Sequence, residues 1–220
     1  MKFDAASFAL AFPFLLGGLF TTIWLVLAST VVGSLAGLIG CIGQLQGRGA
    51  LNWLARIYVG TFRGLPETVL IFWIYFCAPF VFNVRLSAFT CGMIALSSVA
   101  GAYLTEIFRA GVLAVPRGQI EAARALGLTI PVMAVYVVIP QAFRIMLPAL
   151  LGLITIIIKN SGIASAIGVA ELFYRGQIIA ADNFKHFEVF TAVGVLYFLI
   201  IFPLSVSSRF LEKRLAIANR

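Results

Sequence analysis

The stretch VPRGQIEAARALGLTIP, residues 115–131, is a short polar segment at the centre of a very apolar chain. Pro116 suits the first turn of a helix, and Gly127 suits the left-handed residue that closes one. The residues between them include several alanines, which favour helix strongly. Glu121 and Arg124 are three residues apart and therefore share a face. The stretch predicts a short amphipathic helix between two apolar regions.

The composition around this segment is that of an integral membrane protein. The 220 residues are 62% hydrophobic and 11% charged, whereas soluble domains are roughly a quarter charged. A net charge of +8 would suggest a nucleic-acid partner in a soluble protein. Here basic residues are expected to mark the cytoplasmic side of a membrane, so no nucleic-acid partner is expected. We predict one domain over residues 1–220.

Five apolar stretches are long enough to cross a bilayer, which takes about 20 residues of helix. They cover residues 14–42, 51–82, 88–107, 147–169 and 187–207. The second is interrupted by RGLPE at 63–67, and the fourth by KNSG at 159–162. The predicted fold is an all-α integral membrane bundle of about five transmembrane helices.

The distribution of basic residues predicts the orientation of this bundle. With the N-terminus outside, 11 lysines and arginines fall on the inner side and 4 on the outer side. The inner set is Arg48, Arg56, Arg63, Arg109, Arg117, Arg124, Arg144, Arg209, Lys213, Arg214 and Arg220, and the outer set is Lys2, Arg85, Arg175 and Lys185. Because cytoplasmic loops are enriched in these residues, the chain is expected to be N-out and C-in.

The polar segment then lies in a cytoplasmic loop of residues 110–145. We expect a helix–turn–helix there, with a second short helix between Pro131 and Pro140, and Pro148 near the start of the fourth span. The residues leave two interpretations open. The loop is either an amphipathic connector lying on lipid headgroups or a docking element for a cytoplasmic partner.

EAARALG at 121–127, followed by IPQAFRIMLPAL at 139–150, resembles the EAA loop of permease subunits of bacterial ABC importers. The stretches at 58–76, 101–127 and 157–173 are similar to the polar amino-acid branch, which contains histidine, arginine and glutamine permeases. In that family the loop forms a coupling helix seated in a cleft of the ATPase. The resemblance implies that the coupling residues are Glu121, Ala122, Ala123, Arg124 and Gly127.

The resemblance also implies the partners and the location of the chain. A cytoplasmic ABC ATPase dimer, a second identical or related permease, a periplasmic or tethered binding protein and an amino-acid substrate are expected, together with membrane lipid. The expected location is the bacterial inner membrane. The sequence contains no GxxxxGKS or GxxxxGKT phosphate-binding loop, so ATP and Mg²⁺ are expected on the partner ATPase and no cofactor on this chain.

Lys159 is the clearest candidate for a substrate contact, because ionisable groups within a membrane are costly. If the fourth span starts near Pro148, Lys159 lies about 17 Å into a core of about 30 Å. Asn160 and Ser161 follow it, and these residues interrupt helices readily. Lys159 is expected either to pair with a substrate carboxylate or to pair with an acid in a neighbouring helix.

Glu67 follows Pro66 in the second span. It is expected either to hold the ammonium group or a cationic side chain of a cationic or polar amino acid, or to form a salt bridge with Arg63. Glu106 and Arg109, three residues apart at the inner end of the third span, are expected to form an interfacial pair that positions the coupling loop.

On the outer side, Glu171 and Arg175 are expected to contact a binding protein or to lie in a solvated loop.

The sequence leaves two other classes of protein to compare with an importer subunit. A self-contained ion-coupled transporter would be expected to show an internal repeat, which the sequence lacks. An intramembrane hydrolase would need Ser161 and His186 within hydrogen-bonding reach, and they are expected at different depths.

Overall fold

The computed structural model of the chain describes residues 5–218, and these residues are organised as helices without a strand. The helices are α1 (Ala5–Leu45), α2 (Ala50–Gly64), α3 (Glu67–Phe82), α4 (Ala88–Leu113), α5 (Arg117–Ala125), α6 (Ile130–Ile167), α7 (Leu172–Asn183) and α8 (His186–Ala218). Helices α1, α4, α6 and α8 are each long and apolar enough to cross a membrane. The pair α2 and α3 passes the same test together but is bent by 104°.

The bend between α2 and α3 lies where the sequence predicted an interruption. Leu65 and Pro66 are both extended, with ψ of 138° and 130°. Proline disfavours a helical conformation in the residue before it, and its own nitrogen has no hydrogen to donate. The helix therefore ends at Gly64 and a new one begins at Glu67.

Helices α1 and α4 pack side by side in the same direction. Ser29 donates to the carbonyl of Met93 at 3.5 Å, and further along both helices a Cβ on Gly37 would lie 2.6 Å from the Cβ of Leu104. The residue numbers of the contacting pairs therefore increase in the same direction along both helices, which makes α1 and α4 parallel. The chain between them must return across the bundle, so α2 and α3 together form one span. The prediction of about five transmembrane helices is confirmed.

The fourth span differs from the sequence prediction. Helix α6 runs without interruption over 38 residues, so the separate short helix between Pro131 and Pro140 is wrong. A π-helical turn at Ala134–Val138 directly precedes Pro140 and gives its ring room against the preceding turn. Pro148 lies inside the helix and does not start it. The estimate of the depth of Lys159 from Pro148 is therefore wrong as well.

The predicted interruption at residues 159–162 is a tightening of the helix rather than a break. The α-helix continues through Ser161 and becomes a 3₁₀-helix over Gly162–Ile167. Gly168 ends it with a φ of +85°, a conformation that favours glycine.

The direction of the five spans places the connections on two faces. Residues 46–49, residues 114–129 and the end of α8 lie on the first face, and residues 83–87 and 168–185 lie on the second. The basic residues that were predicted on opposite sides also lie on opposite faces. Arg48, Arg117 and Lys213 are among those on the first face, and Arg85, Arg175 and Lys185 lie on the second. Lys2 and Arg220 lie outside the described residues. That the first face is cytoplasmic stays a prediction.

Candidate functional site

Helix α5 is the polar helix that the sequence predicted on the first face. Pro116 precedes its first residue, and its end is closed by two hydrogen bonds, from Gly127 N to Arg124 O at 2.9 Å and from Leu128 N to Ala123 O at 3.1 Å. Gly127 adopts a φ of +72°, the left-handed conformation that this type of helix end requires. The helix therefore has fixed ends and a defined exposed surface.

The five predicted coupling residues do not share one environment. Glu121, Ala122, Arg124 and Gly127 are exposed, whereas Ala123 is only 3% exposed and packs within the chain. Two large apolar side chains beside them are left uncovered, Leu126 at 80% and Ile130 at 75% exposed. The first face thus presents a mixed polar and apolar surface around α5, and the buried side chain of Ala123 holds α5 against the rest of the chain.

A cavity of about 600 Å³ lies between α3, α6, α7 and α8. Its lining residues are Thr68, Lys159, Gly162, Ile163, Ser165, Ala166, Phe173, Gln177, Tyr197 and Ile201. Lys159 is exposed and is the one charged residue in this lining. The cavity therefore combines a single positive charge with neutral hydrogen-bonding groups and apolar walls.

Sequence reasoning identified Lys159 and missed its polar neighbours in the cavity. Thr68 is next to Glu67, but the sequence did not distinguish which of the two faces the cavity. Gln177 lies in α7 (Leu172–Asn183), a helix that the hydrophobic pattern did not predict, so no signal marked it.

Glu67 and Asn160 lie together, away from the Lys159 cavity. Both border a tightly packed cleft that includes Tyr103, and the Asn160 side chain interacts with the Glu67 carboxyl group. Arg63, the alternative partner of Glu67, instead lies with its guanidinium 5.0 Å from the centre of the Tyr103 ring. Glu67 Oε2 is buried without a hydrogen-bond partner among the described residues.

Ser161 is fully buried, and its hydroxyl donates to the Ile158 carbonyl at 2.8 Å. Ser161 does not line the cavity that contains Lys159. The structure therefore does not place these two predicted substrate-pathway residues in one site. His186 is exposed, with its ring 6.3 Å from that of Phe190. A hydroxyl donating to its own helix is not the activated nucleophile that the hydrolase alternative needs.

Glu171 is a structural residue of the interior, and its predicted exposure on the outer side is wrong. It is 0% exposed and caps α7, accepting hydrogen bonds from Phe173 N at 2.9 Å, Tyr174 N at 2.7 Å and the Tyr197 hydroxyl at 3.0 Å. Burial raises the pKa of the Glu171 carboxyl group, and these hydrogen bonds oppose the rise.

Arg175 is partly buried and packs against α1, and its contact with a binding protein stays a prediction. It donates to the Phe14 carbonyl at 3.1 Å and lies against Gly17 and Gly18 of α1. A larger residue at either glycine would displace it. Together with Glu171, Arg175 fixes α7 to α1 behind the cavity wall.

Glu106 and Arg109 form a salt bridge of 2.9 Å near the end of α4. Their side chains are about one-third exposed, at 30% and 35%. The pair lies close to the α5 connection, and its influence on that connection stays a prediction.

Comparisons with known proteins agree with this architecture. Residues 29–217 match the family described as binding-protein-dependent transport system inner membrane component. The glutamine transport system permease protein GlnP of Escherichia coli K12 is 37% identical over 218 residues, covering 99% of this chain and 100% of its own. The L-cystine transport system permease protein TcyB of Bacillus subtilis 168 is 38% identical over 204 residues, covering 92% and 87%.

A third relative and two solved structures extend the comparison. The arginine transport system permease protein ArtQ of Bacillus subtilis 168 is 29% identical and covers 98% of both chains. The crystal structure of an amino acid ABC transporter with histidines superimposes with a TM-score of 0.86 and 34% identity, over 97% of this chain and 100% of that one. The inward-facing MetNI methionine ABC transporter shares the fold, with a TM-score of 0.74 and 20% identity over 90% and 95%.

These findings, with four to five apolar helices, make the chain a multi-pass protein of the inner membrane and a transport subunit rather than an enzyme. The EAA motif and its coupling helix are typical of the same group. The chain belongs to the family of inner membrane components of binding-protein-dependent transport systems, as a permease subunit of an ABC importer.

Proposed function

We propose that this permease translocates an amino acid whose side chain carries no net charge, and that its substrate passes through the Lys159 cavity. The observation that carries the proposal is the lining of that cavity, in which Lys159 is the only charged residue. Its volume of about 600 Å³ falls within the range of roughly 300–1,000 Å³ that is usual for small-molecule sites.

Every amino acid carries an α-carboxylate, and Lys159 supplies the positive charge that this group needs. An ammonium group offers three hydrogen-bond donors. Thr68 and Gln177 supply further neutral donors and acceptors for the remaining polar groups of the substrate. Phe173 and Ile201 contribute apolar surface to the cavity lining.

The position of Glu67 favours a neutral over a cationic side chain. Glu67 interacts with Asn160 in the neighbouring cleft and does not line the cavity. A cationic side chain would meet Lys159 there without an acidic residue to balance it.

Helix α5 is the proposed coupling element. The exposed residues Glu121, Ala122, Arg124 and Gly127 would enter a cleft on a cytoplasmic ATPase dimer, and the uncovered side chains of Leu126 and Ile130 would be buried there. ATP and Mg²⁺ would be bound by that partner. The alternative, a connector lying on lipid headgroups, would bury the same apolar side chains in the membrane.

The remaining partners follow from the topology and the family. A second permease, identical or related, would complete the translocation path, since importers alternate between two accessible states around a shared axis. A periplasmic or tethered binding protein would deliver the amino acid to the second face of the bundle.

The proposed substrate class is tested by reconstituting the chain with its neighbouring ATPase and binding protein. ATP hydrolysis is measured with glutamine, cystine, arginine and glutamate, and stimulation by the neutral amino acids is expected. Stimulation by arginine alone would contradict the proposal and would make Glu67 the specificity residue.

A further inference from the structure

A second polar cavity, of about 330 Å³, lies at the first face of the bundle, between the end of α1 and the helices α2 and α4. It is lined by Gln44, Arg56, Val59, Gly60, Glu106 and Arg109. None of these residues lines the Lys159 cavity, which lies between α3, α6, α7 and α8. The transport path proposed above therefore leaves this cavity unexplained.

The charge of this cavity is positive and only partly balanced. Arg109 donates to Glu106 at 2.9 Å, but its Nε is buried without an acceptor among the described residues. Arg56 uses its Nε to bind Asn52 Oδ1 at 3.1 Å and is otherwise exposed. Arg63 adds a further positive charge close enough to interact with Glu106. Two guanidinium groups and one carboxylate thus line the cavity, and a third guanidinium lies near that carboxylate.

An apolar groove of about 250 Å³ adjoins the charged cavity, between α1 and α2. It is lined by Ala36, Ile39, Gly40, Leu51, Leu54, Ala55 and Tyr58. Gly40 lies one helical turn from Gln44 along α1, and Ala55 precedes Arg56 in α2, so the groove lies beside the cavity. Ile39 and Leu54 are 61% and 54% exposed, which leaves the groove open along its length toward the membrane.

We propose that the cavity and the groove together bind one anionic phospholipid. Its phosphate would be held by Arg56 and Arg109, because guanidinium groups bind phosphate oxygens in a bidentate manner. One of its acyl chains would lie in the groove. Basic pockets between transmembrane helices on the cytoplasmic side suit anionic lipid headgroups, and the end of α1 at Leu45 and the start of α2 at Ala50 are at that level.

The groove distinguishes a phospholipid from a small anion. A free phosphate would use only the charged cavity, and the groove would contribute nothing to its affinity. A phospholipid would use both parts, so substitutions in either part should weaken its binding.

The test measures lipid retained by the full chain purified with its ATPase, after exchange into nanodiscs that contain phosphatidylcholine with or without phosphatidylglycerol. Native mass spectrometry is expected to show one phosphatidylglycerol retained per permease chain in preference to phosphatidylcholine. Arg56→Gln should lower this retention about fivefold, the effect of one basic residue near a membrane surface. Lys213→Gln, an exposed lysine on the same face, is the control and should retain lipid as wild type.

The apolar part is tested by Ile39→Trp, which fills the groove, against Leu35→Trp, a similarly exposed residue of α1 outside it, at 60% exposed. Only the first should reduce retention of phosphatidylglycerol. Equal retention of both lipids, wild-type retention by Arg56→Gln, or displacement of the lipid by inorganic phosphate with no effect of Ile39→Trp would each overturn the proposal. All these readouts are independent of the transported amino acid.

Discussion

Lys159 and Glu171 are two charged residues on either side of the same 3₁₀ turn, and their surroundings are opposite. Lys159 is exposed within a cavity whose lining offers it no negative charge. Glu171 is fully buried and accepts hydrogen bonds from two backbone amides and the Tyr197 hydroxyl. A buried polar group whose hydrogen bonds the fold supplies helps to hold the fold together, and an exposed charge without a counter-charge in its cavity is available to a ligand.

Tyr197 links the two environments. Its hydroxyl donates to Glu171 at 3.0 Å, while the residue also lines the Lys159 cavity. Phe173, whose amide is bound by Glu171, lines the same cavity. The buried carboxylate therefore sets the position of the wall against which a substrate of Lys159 would lie.

The largest effect is expected for Glu171→Ala. The substitution leaves the amides of Phe173 and Tyr174 without their acceptor, and each unsatisfied buried donor costs about 1–3 kcal/mol. We expect a loss on the order of 3 kcal/mol in the free energy of unfolding, measured by thermal unfolding of the purified protein in detergent. Lys159→Ala should unfold close to wild type, and an equal loss in both variants would remove the distinction between the two residues.

Lys159→Ala should instead act on transport. If the ammonium group binds the substrate carboxylate, its removal leaves a desolvated charge unpaired, which costs about 2–5 kcal/mol and lowers transport at low substrate concentration by roughly 30-fold or more. Uptake into proteoliposomes is measured and corrected for the amount of inserted protein. Lys159→Arg keeps the charge and should recover part of the activity, whereas unchanged uptake by Lys159→Ala would show that the cavity is not the path.

The difference between these two residues could not be predicted from sequence, because some of the contacts that bury Glu171 come from residues distant in the chain. Thr22, whose hydroxyl lies 3.5 Å from Glu171 Oε2, is 149 residues away. Helix α7 has only moderate hydrophobicity, and contacts with α1 and the Glu171 cap hold it in place. Neither the contact with α1 nor the Glu171 cap produces a periodic pattern of hydrophobic residues in the sequence.

Local features were predicted well where the physical cause is local. Pro66 ends a helix because it disfavours helical backbone before it, and Pro116 and Gly127 bound α5 as their backbone preferences require. Pro140 and Pro148 misled the prediction for α6. A π-helical turn accommodates the first and the helix continues through the second, and membrane helices tolerate such prolines when other groups satisfy the freed carbonyls.

Glu121 extends the comparison to a third kind of charge. It is exposed on α5 and has no ion-pair partner among the described residues, so the fold neither buries it nor encloses it in a cavity. If α5 docks on the ATPase, Glu121→Lys should lower coupled uptake about tenfold, since a reversed charge opposes docking and a cost of about 1.4 kcal/mol corresponds to a factor of ten. ATP hydrolysis should lose its stimulation by the amino acid.

The matched control for Glu121→Lys is Glu212→Lys, an exposed glutamate near the end of α8 on the same face. It makes the same change of charge outside α5 and should leave uptake unchanged. Equal losses in the two variants would indicate a general effect of charge at that face, and normal coupled uptake in Glu121→Lys would exclude docking through this residue.

The smallest effect concerns the pH dependence of the Glu171 network. Because burial raises the pKa of this carboxyl group, its contribution to the free energy of unfolding is fully present below its unfolded-state pKa of about 4.3. That contribution is lost as the pH rises through the raised native pKa. Glu171→Gln cannot ionise, so the Tm of the wild type should fall relative to that of the variant as the pH rises from acidic toward neutral. Glu212→Gln, which removes an exposed carboxyl group, should show no such trend. A constant difference across the range would mean that Glu171 is ionised throughout, and that its hydrogen-bond donors outweigh the cost of its burial.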